Sequence, residues 1–192
     1  MNTLIIYAHP NKNSFTKVLA CALSDTLKDR GHKVNFRDLY EMKFNPILTQ
    51  EEYELLEKGE TPDDIKVEQR LISEANHIVF VFPTWWESMP AIMRGYIDRV
   101  FSYGFAYGSD ENGAIGLLNG KSASIIQLAG ASSEEFESSG IRRAIEISHN
   151  VGIFEFCGLK PAEHFIFNSV PFVSDSERKE MLQSIIDFGN RL

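Results

Sequence analysis

The chain has 192 residues, a formal net charge of -8, 43% hydrophobic and 24% charged residues. This is a globular composition, long enough for one domain with a substantial core. The acidic total argues against nucleic acid or an anionic membrane as main partner, and no apolar run approaches the roughly 20 residues a membrane span needs.

Met1-Asn-Thr leads directly into a strand pattern, without the basic segment and cleavable apolar stretch of a secretory signal. Cys21 and Cys157 show no C-x-x-C spacing and no neighbouring His/Cys cluster. Two reduced cysteines in a cytoplasmic protein are expected.

Leu4-Ile-Ile-Tyr7-Ala8 reads as a strand buried on both faces. The loop His9-Pro10-Asn11-Lys12-Asn13 follows, and Asn13 or Ser14 can cap a helix. Phe15, Val18, Leu19, Ala22, Leu23, Thr26 and Leu27 share one helical face, and Gly31 stops the helix. Lys33 to Leu39 alternates like a strand partly exposed at a sheet edge. Phe44-Asn-Pro46-Ile-Leu48 is an extended connection. Thr49 with Glu52 forms a capping-box pattern for a short acidic helix, with Glu51, Glu52, Glu54 and Glu57 on a solvated face. Ile65, Glu68, Leu71, Ile72 and Ala75 mark the next helix.

Ile78 to Phe82 is a third strand, ended by Pro83 and followed by Trp85 and Trp86. Tryptophan dominates buried area, but consecutive residues rarely point the same way, so at most one of the pair is expected deep in the core. Pro90 opens a helix as its first residue, running to Phe101. Residues 102–113 form an ordered, glycine-rich aromatic loop. A fourth strand, Ala123 to Leu128, ends at Ala129-Gly130-Ala131-Ser132-Ser133. A mobile acidic loop with Glu134, Glu135 and Glu137, a helix over 140–151, a fifth strand over 164–167 and a last helix capped by Ser174 and Glu177 complete the chain. His149 and His164, without a second ligand at metal spacing, read as core or surface histidines.

Five strands alternating with helices imply an α/β, three-layer, doubly wound parallel sheet. There is no G-x-G-x-x-G after a strand and no G-x-x-x-x-G-K-[ST] loop. A flavodoxin-like order 2-1-3-4-5 fits, with residues 1–192 as one domain. Ligands then bind beyond the carboxyl ends of the strands, at the switch point between the first and third. Three loops meet there: His9–Ser14, Pro83–Glu87 and Ala129–Ser133. The first opens a helix and offers N–H groups to a phosphate. The second offers a flat wall, and the small residues of the third allow close backbone approach.

The motifs Ala8-His9-Pro10-Asn11-x-x-Ser14-Phe15, Phe82-Pro83-x-Trp85-Trp86-x-x-x-Pro90-Ala91, Gly95-Tyr-Ile-Asp-Arg-Val-Phe101 and Gly104-Phe-Ala-Tyr107 resemble the NAD(P)H:quinone oxidoreductase family of flavodoxin-like flavoproteins. Asp38-Leu-Tyr40, Phe44-Asn-Pro46 and Phe156-Cys-Gly158 fit the same pattern, in order along nearly the whole chain. The resemblance implies a flavin (FMN or FAD), NAD(P)H as co-substrate, a quinone-like acceptor, and a homodimer with sites at its interface. It assigns His9, Ser14, Phe15 and Thr16 to the flavin phosphate and ribityl end. Pro83, Thr84, Trp85, Trp86 and Glu87 fall to the isoalloxazine, and Ala129, Gly130 and Ala131 to its pyrimidine side.

Two departures stand out. The family's Thr-Gly-Gly is here Ala129-Gly130-Ala131. Its charge-stabilising Tyr and His correspond to Phe136 and Arg142. Arg142 cannot act as an acid near neutral pH but can stabilise negative charge developing during hydride transfer; the competing reading is an exposed helix arginine. Weakened catalysis would suit a second class, the soluble ancillary subunits of potassium-efflux systems. A flavodoxin-type electron carrier is a third; true flavodoxins use a Ser/Thr- and Gly-rich phosphate loop in place of His9-Pro10-Asn11.

Overall fold

The computed structural model describes residues 1–192. Its strands are β1 (Asn2–Tyr7), β2 (Lys33–Asp38), β3 (His77–Pro83), β4 (Tyr107–Asp110), β5 (Gly113–Gly116), β6 (Ser122–Leu128) and β7 (Lys160–Phe167). Five of them form a parallel sheet in the order β2-β1-β3-β6-β7, which is 2-1-3-4-5 when the parallel strands alone are counted. The expected topology and the exposed-edge character of β2 are both present. No helix is long and apolar enough to cross a membrane.

The continuous apolar runs are explained by layers on both faces. Side chains alternate along a strand. Ile78, Phe80 and Phe82 therefore face a core built with α3 (Asp63–Glu74) and α4 (Ala91–Val100), while Val79 and Val81 face α1 (Phe15–Asp29) and α7 (Asp175–Arg191). β3 is buried at every residue. Each such Val, Ile or Phe contributes about 1.5–3 kcal/mol by leaving water.

Several local details differ from the sequence expectations. Pro90 is the N-cap of α4, and the helix proper begins at Ala91. The glycine-rich loop over 102–113 includes β4, the first strand of an antiparallel hairpin whose second strand, β5, runs on from Gly113. Its strands are only four residues long and rich in glycine, so they leave little periodicity to read. The acidic 134–137 stretch is the helix α5 (Ser133–Ser138), held by a complete capping box between Ser132 and Glu135. The helix expected over 140–151 is α6 (Ile141–Glu146) running into a π-helix (Ile147–Glu155), where the Phe156 N–H reaches back five residues to the Val151 carbonyl.

The Glu52 assignment also needs correcting. α2 (Gln50–Glu57) has only half of the expected capping box: Thr49 Oγ1 accepts from the Glu52 N–H, but the Glu52 carboxylate is buried, 6% exposed, and points to Arg99. Arg99 Nε lies 3.0 and 2.9 Å from the two Glu52 oxygens. Its other nitrogens donate to the Asn45 carbonyl at 2.8 Å and to Asp64 at 2.9 Å. One buried guanidinium thus ties α2, α3 and the 44–48 segment to α4. That segment lies so close to α4 that a Cβ on Gly95 would sit 2.1 Å from the Pro46 oxygen.

Removing one partner of a buried ion pair leaves the other charge stranded, at about 3–5 kcal/mol. Arg99→Leu is expected to lower the stability measured by denaturant unfolding by about that amount, and exposed Lys66→Leu by roughly 0–1 kcal/mol. Equal small effects would show that the Arg99 cluster does not hold these elements.

Candidate functional site

At the carboxyl end of the sheet, the three loops meet. His9, Ser14, Phe15, Thr16, Pro83, Thr84, Trp85, Ala129 and Gly130 line one cleft of about 380 Å³. Trp86, Glu87, Ala131 and Arg142, singled out from the sequence, do not line it. Leu128, Val170 and Pro171 line it in addition. The last two follow β7, and the rule that ligands sit beyond parallel strand ends applies to that loop as well.

The first loop is built on Asn11. Its carbonyl accepts from the Ser14 N–H and its side chain from the Asn13 N–H, while its own N–H donates to His9 Nδ1 at 3.0 Å. Ser14 caps α1 by accepting from the Lys17 N–H, and its hydroxyl also meets the Tyr7 hydroxyl at 3.2 Å. The N–H groups of Phe15 and Thr16, in the first turn, have no protein acceptor. Both residues line the cleft at the start of α1, where the positive end of the helix dipole lies.

The second loop extends the sheet by one bond, from the Thr84 N–H to the Leu128 carbonyl at 2.8 Å. Trp85 and Ser88 then exchange N–H···O bonds across a tight turn whose central residues, Trp86 and Glu87, have φ of 51° and 56°. Positive φ at both central positions is the signature of a type I′ turn, which non-glycine residues enter at a cost. Neither tryptophan packs in the core: Trp85 is 40% exposed and Trp86 98%. Trp85 faces the cleft and meets the His9 ring edge-on at 6.3 Å. Trp86 stands in solvent.

The third loop is tied to the chain after β7: the Ala129 carbonyl accepts from the Val170 N–H and the Ala131 carbonyl from the Ser169 N–H. Arg178 of α7 donates to the Val170 carbonyl and lies over the Phe15 ring, clamping this fourth loop against the first. Phe136 supports the third loop from beneath. It is 1% exposed and packs with Ala129 and Ile145. Arg142 is ion-paired with Glu137 and Glu146, which offset its charge.

Burial pushes the His77, His149 and His164 pKa values down to about 4. Arg94 adds to the lowering at His149, and His149 and Arg142 add to it at His164.

A flavodoxin-like fold family model matches residues 1–188. The chain belongs to that family. A Haemophilus influenzae protein named as an uncharacterized NAD(P)H oxidoreductase is 38% identical over 184 residues, covering 95% of this chain and 91% of its own. The mouse ribosyldihydronicotinamide dehydrogenase (quinone) is 32% identical over 203 residues, covering 94% of this chain and 87% of its own. The solved NAD(P)H:quinone oxidoreductase from Methanothermobacter marburgensis is similar with a TM-score of 0.86 at 30% identity, covering 98% of this chain and 95% of that one. Within the flavodoxin-like fold, this chain is a member of the NAD(P)H:quinone oxidoreductase family, as its motifs imply.

The three depressed histidines carry a pH consequence. They are neutral in the fold, while in the unfolded chain they take up protons below about pH 6.5. Stability from these groups is complete above that value and is lost as pH falls toward about 4. The unfolding free energy from denaturant titration is expected to fall between pH 7 and 4.5 by several kcal/mol in total, with a shallower slope in His149→Leu. A midpoint independent of pH over that range would contradict the burial of these rings.

Proposed function

We propose that this chain is a flavin-dependent NAD(P)H oxidoreductase that passes two electrons from a nicotinamide to a quinone or similar electrophile, with residues 1–192 acting as one flavin-binding domain in the cytoplasm. The observation that carries this reading is the cleft itself. Two free N–H groups at a helix start, a flat Trp85 wall and the glycine of the Ala129–Ala131 loop line one space. A bound FMN or FAD would supply the hydride chemistry, with NAD(P)H as donor.

The residues present fit that group. The N–H groups of Phe15 and Thr16, with the Ser14 and Thr16 hydroxyls, suit a phosphate and need no formal charge. His9, pushed below its ordinary pKa by burial and accepting at Nδ1 from the Asn11 N–H, is left with Nε2–H as a donor. Pro83, Thr84 and Trp85 offer a flat edge with backbone and hydroxyl groups. Ala129 and Gly130 are small and let backbone approach a flat ligand closely.

Trp86 and Glu87 lie outside the cleft of a single protomer, as does Ala131. In a homodimer, the exposed Trp86 and Glu87 would reach a site completed by the second copy. Support comes from exposed apolar side chains: Phe156 lines a second groove with Leu48 and Tyr107, Tyr103 meets Tyr107 edge-on, and Ile147 and Val151 stand exposed on the π-helix before Phe156. Such a patch favours covering by protein. Charge stabilisation by Arg142 requires its guanidinium to leave Glu137 and Glu146. A hydride-transfer rate unchanged in Arg142→Met would remove it from the mechanism.

The test is spectroscopic. The protein as purified, or reconstituted with FMN or FAD, is expected to show a flavin spectrum that NADH or NADPH bleaches anaerobically and a quinone restores. Sedimentation is expected to give twice the 21.8 kDa chain mass. Failure to take up either flavin would overturn the enzyme reading. Flavin bound but reduced by neither nicotinamide would favour a regulatory subunit, the class that the altered Phe136 and Arg142 positions keep in view.

A further inference from the structure

Gln127 is fully buried, one residue before the end of β6, in register with Phe82 of β3. A buried amide is costly unless both its ends are bonded. Here both are. One end meets the Thr84 hydroxyl at 3.0 Å and the other meets His164 Nε2 at 2.9 Å. The chain of contacts runs from His164 on the edge strand β7, across Gln127 of β6, to Thr84, which lines the cleft.

Its direction follows from His164 Nδ1, which is buried and has no partner. A proton on that nitrogen would be an orphaned donor, whereas a bare lone pair is the less costly state. The single proton of the neutral ring therefore sits on Nε2 and donates to the Gln127 carbonyl oxygen. The Gln127 amide then presents N–H to Thr84, whose oxygen accepts. The Thr84 hydroxyl keeps its own proton for another acceptor, and Thr84 lines the cleft.

The ring stays in that state because of what surrounds it. His149 packs edge-on against His164 at 6.1 Å and against Phe82 at 6.0 Å. Burial, with Arg142 and His149 nearby, keeps His164 neutral near pH 7.

We propose that His164, acting through Gln127, is a positioning residue that holds the Thr84 hydroxyl as a hydrogen-bond donor into the cleft. The cleft thereby selects a ligand edge that places an acceptor atom there, such as a ring carbonyl or an unprotonated ring nitrogen of a flavin. The identity of the ligand rests on the reading under Proposed function; the direction of the hydrogen-bond chain does not.

Two measurements test it separately. Nitrogen-15 NMR of the full-length protein at neutral pH is expected to show His164 protonated at Nε2 and bare at Nδ1. Titration with FMN and FAD, followed by flavin fluorescence, is expected to give about three- to tenfold weaker binding and a shifted visible spectrum in Thr84→Val and in Gln127→Glu. Thr84→Ser is expected to bind like the parent. Combining the two weakening changes should cost no more than Thr84→Val alone, because both remove the same donor. A proton on His164 Nδ1, or Thr84→Val with parental affinity and spectrum, would overturn the proposal and leave the flavin reading standing. Parent protein that takes up neither flavin would overturn the flavin reading and the selection proposed with it.

Discussion

The carboxyl end of β3 is the constraint on which the site depends. The strand is buried on both faces and lies in the middle of five, so its course is set by packing. Thr84 continues the ladder by a single bond to Leu128, and the chain then turns over the four residues Trp85–Ser88 before α4 begins at Ala91. The Trp85–Ser88 bonds close that turn with Trp86 and Glu87 in the left-handed region. Non-glycine residues in sparsely populated backbone regions cost about 1–3 kcal/mol each, and surrounding structure must hold them there. The same turn brings Trp85 over the cleft, puts Trp86 in solvent, and leaves Thr84 within reach of Gln127.

Around this centre, the other loops are fixed by unrelated devices that converge. Asn11 folds the first loop, and Ser14 caps α1 so that its first N–H groups open to the cleft. The third loop is bonded to the residues after β7, and Arg178 fastens that segment to Phe15. Farther away, Arg99 locks α2 and the 44–48 segment onto α4. The cleft therefore rests on backbone bonds and buried polar contacts from several elements, which suits a site that must orient a ligand.

Much of this was legible in the sequence. The apolar runs at 4–8, 78–82 and 123–128 mark buried parallel strands because both faces are covered. The alternation at 33–39 marks an edge because one face is not. Given that order, the strand-end rule brings the loops His9–Ser14, Pro83–Glu87 and Ala129–Ser133 together, and of these His9, Ser14, Pro83–Trp85, Ala129 and Gly130 line the cleft. What was not legible depends on long-range partners. Glu52 looks like one more acid on a solvated helix until Arg99, 47 residues away, claims its carboxylate. Gln127 looks like an ordinary strand residue until Thr84 and His164 bracket it. The π-helix could not be separated from an α-helix, since a shift from i→i−4 to i→i−5 bonding scarcely changes the apolar spacing over nine residues. Ser132 with Glu135 was readable as a capping box, but the run of acids around it suggested a solvated loop.

The central claim is that the cleft below Trp85 holds a flavin. A crystal structure of the protein grown with FMN or FAD tests it most directly. Flavin density is expected with its phosphate against the N–H groups of Phe15 and Thr16 and its ring against Pro83, Thr84, Trp85 and Gly130. Flavin density elsewhere, as in the groove lined by Leu48 and Phe156, with this cleft empty, would contradict it.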